Sequence, residues 1–284
     1  MPKSDLVTVT TLEGNMDSAA YLQRIGLTER PDNDLDGLRA LHLAHLHRVP
    51  FENLDIRWKV PIVLEKEPLF AKIVQRRRGG FCYELNGLFA WLLEDLGFRV
   101  ERIQGQVFNE RKRQFGQPFD HMALLVYVDD RPYLTDVGFG ELFMAPMLME
   151  IGHIHREDGR SYLLAEDEEG WIELCRTNGS GAFTPVYRFS TEVHPFEAFG
   201  PMCTYHQTSP QSHFTQRTIC TLPLPGGRVT LTDRRSILTR EGLREERSFT
   251  GDEFHELMRT HFGMDELPVE AVWPVPKQGH GRQG

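Results

Sequence analysis

Cys82 is the residue of this sequence best placed to act as a nucleophile. It lies in Arg78-Gly79-Gly80-Phe81-Cys82-Tyr83-Glu84-Leu85-Asn86. The two glycines permit a tight backbone path. The cysteine then falls in the first turn of a strongly amphipathic helix. A helix N-terminus carries partial positive charge and free N–H groups. Both favour thiolate over thiol, and the same N–H groups can stabilise an oxyanion on an attacked carbonyl. Arg78 adds positive charge close by in sequence. Taken alone, these features fit a buried structural cysteine equally well.

A thiolate catalyst needs a base and an acceptor that orients the base. His121 and Asp136 fit these roles if they share a hairpin. With Asp129 and Asp130 as a two-residue turn, residue 128 pairs with 131 and residue 123 pairs with 136. Side chains alternate faces along a strand, so His121 and Asp136 share one face. They become diagonal neighbours with Cα atoms roughly 7–8 Å apart. A slip of one residue would destroy the alignment. Asp136 sits within Leu134-Thr135-Asp136-Val137-Gly138. A carboxylate in an apolar strand is costly unless it is paired.

Other chemistry-bearing residues form weaker patterns. Cys82, Cys175, Cys203 and Cys220 are scattered with no CxxC pair, which argues against a disulfide framework and a structural zinc site. His42, His45 and His47 cannot all share one helix face. His153 and His155 read as a loop or strand surface, so no metal is expected. Gly226-Gly227 is a turn, and no phosphate-binding GxxxxGK[ST] occurs.

These residues need elements to hold them. Asp17 or Ser18 caps a helix through Tyr21, Leu22 and Ile25, ended by Gly26. A second helix spans Asp34 to about His47 and stops at Pro50. Pro68 suits the first position of a third, which carries Leu69, Ile73 and Val74 to Gly79-Gly80. A fourth runs from Cys82 to Leu96, ended by Gly97. Phe98 to Phe108, His121 to Val128 and Pro132 to Val137 read as strands, with more at 160–190. Thr215 to Leu222, Arg228 to Thr232 and Ser236 to Arg240 follow as strands. Thr250-Gly251-Asp252-Glu253 is a capping box that opens a helix carrying Phe254, Leu257 and Met258, closed by Gly263. Helices, then strands, then mixed structure make an α+β fold with segregated layers.

Composition limits the function classes. The chain has 284 residues, 40% hydrophobic and 26% charged, with a formal net charge of −9. The acidic balance disfavours nucleic-acid binding. Basic runs at Arg76 to Arg78, Arg111 to Arg113 and Arg234-Arg235 leave room for a small anionic ligand. No apolar run approaches the roughly 18 residues of a membrane span. The N-terminal stretch lacks the apolar region of a secretory signal. A cytoplasmic protein with free thiols and no membrane or nucleic-acid partner is expected.

Three segments carry a resemblance to a known family. Val49-Pro50-Phe51-Glu52-Asn53-Leu54, Arg78-Gly79-Gly80-Phe81-Cys82 and Thr135-Asp136-Val137-Gly138-Phe139-Gly140 resemble signatures of the arylamine N-acetyltransferases. Tyr21-Leu22-Gln23-Arg24-Ile25-Gly26 and Asp120-His121 are similar too. The matches run in family order over most of the chain. The resemblance implies an N-terminal helical bundle over residues 1–97, a middle antiparallel β-barrel over 98–195 and a C-terminal α/β lid over 196–284. It implies a Cys82-His121-Asp136 triad, with acetyl-CoA as cosubstrate and no permanently bound cofactor. Arylamines, arylhydrazines or N-hydroxyarylamines would accept the acetyl group. Val107 and Phe139 would line the substrate pocket. The segment Tyr205 to Gln211 resembles one in animal members and points to Tyr205 and Gln211 as coenzyme contacts, and the turn before the hairpin adds Gln117 and Pro118. Val275 to Gly281 resembles the animal C-terminus, which lies near the coenzyme. Many bacterial members have Gly-Pro after the Gly-Phe-Gly, where Glu141-Leu142 stands here.

The residues by themselves also fit a cysteine hydrolase or transglutaminase-like amidase. The implied fold also fits a biosynthetic acyl or amide synthase. An inactive binding protein on that fold is disfavoured by the intact Cys82, His121 and Asp136.

Overall fold

The Asp17 carboxylate accepts a hydrogen bond from the Ala20 N–H at 2.9 Å and opens helix α1 (Ser18–Ile25). Gly26 closes it with φ at 84°, a left-handed conformation that glycine adopts without strain. The computed structural model describes residues 17–157, 159–178, 181–265 and 267. The N-terminal stretch read for a signal and the tail from Val275 to Gly281 lie outside the described residues.

Helix α2 (Leu35–Arg48) opens on Asp34, which accepts from the Gly37 N–H at 2.8 Å. After Pro50 come strand β1 (Phe51–Glu52) and helix α3 (Leu54–Trp58). Neither is long enough to show a hydrophobic period, so periodicity could not reveal them. Helix α4 (Lys66–Phe70) starts two residues before Pro68, and the chain continues as a π-helical turn over Ala71–Gln75. The expected α-helix to Gly79 is therefore shorter and ends in a wider turn. Helix α5 (Cys82–Asp95) begins at the expected residue. Its apolar stripe is only part of its packing. Glu84 and Asn86 are buried as well, so the helix is enclosed on nearly every side.

The middle of the chain forms β2 (Arg99–Asn109), β3 (Gln114–Phe115), β4 (His121–Val128), β5 (Arg131–Thr135), β6 (Met147–Leu148), β7 (Ile154–Glu157), β8 (Arg160–Glu166), β9 (Ile172–Asn178) and β10 (Thr184–Val193). Their order is β6-β5-β4-β2-β10-β9-β8-β7, with β3 beside β2, every pair antiparallel. The sheet curls into a nearly closed barrel. Ile103, Leu125, Leu134, Phe143, Tyr162, Leu174 and Phe189 belong to its core. The β4–β5 hairpin has the expected register, from Val128 opposite Arg131 to Leu124 opposite Thr135. Asp129 and Asp130 have φ of 49° and 58°, as a two-residue type I′ turn requires.

A short 3₁₀ turn (Phe196–Phe199) leads to helices α6 (Gly200–Thr208) and α7 (His213–Gln216). Strands β11 (Ile219–Leu224), β12 (Gly227–Thr232), β13 (Arg235–Arg240) and β14 (Leu243–Ser248) follow, then helix α8 (Phe254–Phe262). The strand expected from Thr215 starts later because Ser212 caps α7, accepting from the Phe214 N–H at 3.3 Å. The second sheet has the order β1-β11-β12-β13-β14. Phe51 pairs with Thr221 and Glu52 with Cys220, so this sheet takes its first strand from the N-terminal helical region. Leu222, Val229 and Leu231 share a core cluster with Phe254, Leu257 and Met258 of α8.

Beneath that junction lies a buried charge network. Arg78 Nη2 donates to Glu52 Oε1 at 2.7 Å and to Asp55 Oδ1 at 2.9 Å. Lys72 Nζ lies 2.8 Å from both Asp55 Oδ2 and Glu84 Oε1. Arg78 is thus engaged internally rather than offered to a ligand, as its place in a basic run had suggested. Burial, opposed by Lys72, raises the Glu84 carboxyl to about 7. Removing one member of a buried ion pair strands its partner in a low-dielectric site. Arg78→Met is expected to lower stability by about 3–5 kcal/mol in urea unfolding. A loss below about 1 kcal/mol would mean that the network contributes little.

Candidate active site

Gly79 and Gly80 set up the approach to Cys82 through space rather than through unusual dihedrals. Neither has positive φ. A Cβ on Gly79 would sit 2.0 Å from the Pro50 carbonyl oxygen, and one on Gly80 would sit 2.8 Å from Glu84 Cβ. Glu84 Oε2 accepts from the Phe81 N–H at 3.1 Å and caps the helix that starts at Cys82.

Cys82 is only 3% exposed. Burial pushes its thiol up, and the charges of Asp120 and Asp136 add to that; a hydrogen bond from the Met122 backbone opposes it. Met122 is the second residue of β4 and follows His121 in sequence. Gly138 packs against the Cys82 backbone. A Cβ there would lie 2.9 Å from Cys82 Cα and 2.6 Å from Asn86 Nδ2, so only glycine fits.

His121 Nε2 hydrogen-bonds Asp136 Oδ2 at 2.7 Å, and both side chains are buried. Asp136 follows directly after β5, where the chain leaves the sheet. Its Oδ1 accepts from Asn86 Nδ2 and from the Gly138 N–H, each at 2.9 Å. Its Oδ2 also accepts from the Tyr187 hydroxyl at 3.2 Å. Burial alone would raise this carboxyl. His121, through its charge and hydrogen bond, together with the Asn86 and Gly138 donors, turns the shift downward and keeps it ionised.

Asn86 joins the pieces. It lies one helical turn after Cys82, donates to the Met122 carbonyl at 2.6 Å and accepts from the Val137 N–H at 2.9 Å. The i,i+4 spacing from Cys82 was a usable sequence signal. Tyr187 carried none, because it arrives on β10 from 51 residues away. Phe139, expected at the substrate pocket, meets His121 edge-on with ring centroids 5.3 Å apart and lies 5.6 Å from the Tyr187 ring.

Two described cavities matter. One of about 250 Å³ is lined by Val107, Gln117, Tyr205 and Gln211, together with Asp120 and His206. It therefore gathers four of the expected binding residues. Pro118, next in sequence to Gln117, is not among its lining residues. A larger cavity of about 680 Å³ is bordered by Glu141, Leu142, Arg160 and Arg228, and holds none of Cys82, His121 or Asp136. At its edge, Glu141 pairs with Arg160, and Leu142 is buried. A charged clamp thus stands where Gly-Pro was the pattern. Among the described residues, no helix is long and apolar enough to cross a membrane, and no group of three or more His, Cys, Asp or Glu could hold a metal ion.

A family model described as N-acetyltransferase matches residues 34–270. The arylamine N-acetyltransferase of Mycolicibacterium smegmatis is 36% identical over 256 residues, 88% of this chain and 92% of that one. The solved Mycobacterium marinum arylamine N-acetyltransferase in complex with CoA is similar, with a TM-score of 0.80 and 32% identity over 88% of this chain and 93% of that one. A Bacillus cereus arylamine N-acetyltransferase, described as having a unique Cys-His-Glu catalytic triad, has a TM-score of 0.81 at 25% identity, covering 87% of this chain and 98% of that one. Agreement that runs through the helices, the barrel and the second sheet identifies this chain as a member of the arylamine N-acetyltransferase family.

Proposed function

We propose that this protein transfers the acetyl group of acetyl-CoA to the nitrogen of arylamines, arylhydrazines or N-hydroxyarylamines through an acetyl-Cys82 intermediate. The observation that carries this reading is the 2.7 Å bond between His121 and Asp136, tied through Asn86 to the helix that begins at Cys82. His121 Nε2 is committed to Asp136, which leaves Nδ1 as the nitrogen that takes the thiol proton. The sulfur attacks the thioester carbonyl. The tetrahedral adduct collapses, and the coenzyme sulfur leaves with the proton from His121. An amine then attacks the acetyl carbonyl on Cys82. His121 accepts a proton from nitrogen and returns it to the departing Cys82 sulfur. An arylamine is neutral near pH 7, so its lone pair is available.

Asp136 has two tasks in this scheme. It holds the ring so that Nε2 carries a proton, and its charge stabilises the imidazolium formed in each half-reaction. In this scheme the thiolate forms only as one half of a pair with His121, against the burial that holds the Cys82 thiol up. Gln117, Pro118, Tyr205 and Gln211 are assigned to the coenzyme, and Val107 and Phe139 to the acceptor. The division into bundle (1–97), barrel (98–195) and lid (196–284) gives each region a role: the nucleophile, the base with its orienter, and the exclusion of water from the acetyl-enzyme.

Free coenzyme A, followed from acetyl-CoA with and without a panel of arylamines and hydrazines, tests the proposal. Release that depends on the amine, beyond one equivalent per enzyme, is expected. Equal steady release without amine would make the protein a thioester hydrolase instead.

A further inference from the structure

His206 of α6 is 2% exposed and lies outside the proposed triad. Its Nδ1 is 3.0 Å from Ser212 Oγ, and its Nε2 is 3.2 Å from Asp120 Oδ1. The second is a close contact rather than an aligned hydrogen bond. The ring stacks on Tyr83 with centroids 6.1 Å apart and meets Phe81 edge-on at 6.4 Å. Phe81 and Tyr83 flank Cys82, and Asp120 precedes His121. One lid side chain therefore touches the neighbours of both the nucleophile and the base.

Asp120 is a hazard at this position. Its carboxylate opposes a negative sulfur at Cys82. It is also a second carboxylate within reach of the segment that carries His121, which has to engage Asp136. We infer that His206 is a positioning residue that draws the Asp120 carboxylate toward the lid and away from Cys82 and His121. This rests on the reading of Cys82 as the nucleophile. The groups that act on the sulfur are the Met122 backbone of β4, Asp120 just before that strand, Asp136 after β5, Cys203 on α6, and Tyr83 on its own helix. Those facing His206 are Asp120, Tyr83, Tyr205, Ser212 and His213.

The test is the rate at which iodoacetamide alkylates Cys82 across pH, read by peptide mass, alongside kcat and KM. Asparagine at 206 keeps an amide near Ser212 but falls short of Asp120, whereas glutamine reaches Asp120. Both remove the ring, and the D120N background separates a charge effect, which it should relieve, from a packing defect, which it should not. H206N is expected to slow alkylation at pH 7 about tenfold, equivalent to one unit in the thiol titration, and to lower kcat with little change in KM. H206Q should stay within about twofold of the parent. D120N should speed alkylation, and H206N/D120N should recover the rate lost in H206N. The inference is overturned if H206N and H206Q behave alike, if the double variant stays as slow as H206N, or if D120N fails to speed alkylation. The alkylation readout needs no turnover, so its failure is separable from failure of the transferase reading, which an active Cys82→Ala variant would reveal.

Discussion

Cys82→Ala should lose acetyl transfer by roughly four orders of magnitude or more, the scale seen when a covalent nucleophile is deleted. The fold should survive. Removing one sulfur from a buried site costs about 1–2 kcal/mol at most, because the cavity is smaller than that of a leucine truncation. None of the remaining thiols can substitute. Burial raises Cys175 to about 11 and Cys203 to about 12, and pushes Cys220 up as well. Burial acts on Cys82 too, so exposure does not set it apart. Its partners do: the Met122 backbone at the sulfur, the start of α5, and a histidine held by a buried carboxylate. Intact mass after mixing with acetyl-CoA is the direct measurement. The parent should gain one acetyl group, mapped to the Cys82 peptide, and the variant none. Full turnover by the variant, with urea unfolding unchanged, would end the assignment of Cys82 as nucleophile.

The parts of this site that were legible in sequence are those fixed by local rules. Asp129 and Asp130 leave room for only a two-residue turn between two alternating strands. That geometry sets the register down to Leu124 opposite Thr135, and Asp136, the next residue, meets His121. The start of α5 was legible because Gly79 and Gly80 interrupt the helical pattern immediately before Cys82. The reason those glycines are needed was not local. It is the approach of Pro50 and Glu84, which depends on how β1 and α5 pack.

What escaped the sequence reading depends on contacts distant along the chain. Glu52 and Arg78 meet across 26 residues, and neither polar side chain announces in sequence that it will be buried. β1 is a strand only because β11 arrives beside it from the C-terminal third of the chain. β14 is exposed throughout, so Leu-Arg-Glu-Glu-Arg-Ser shows no apolar alternation to mark a strand. The motif around Cys82 contains Asn86, but its bridging role emerges only when Met122, Asp136 and Val137 close around it. The named acetyl donor and amine acceptor come from family membership, whereas attack through a cysteine paired with His121 follows from the arrangement of side chains.

Asp136→Asn should be nearly as damaging as loss of the nucleophile, for a reason the hydrogen bonds specify. Oδ1 receives two N–H donors, from Asn86 and Gly138. In the variant that position must stay a carbonyl oxygen, since an amide NH₂ there would face two donors. The NH₂ is thereby turned toward His121 Nε2. That nitrogen must then be unprotonated, and the ring proton moves to Nδ1, which loses its ability to take the thiol proton. The countercharge for the imidazolium disappears as well. Together these effects are expected to reduce Cys82 acetylation about 10³- to 10⁴-fold, read as the single-turnover rate with acetyl-CoA. The global fold should be little changed, because the amide keeps both Oδ1 bonds. The pH dependence separates the two causes. A tautomer defect persists at every pH at which the ring is neutral, whereas loss of countercharge alone would move the titration of the Cys82–His121 pair and leave a recoverable rate. Undiminished acetylation would remove Asp136 from the orienting role and leave its four hydrogen-bond donors, His121 included, as purely structural partners.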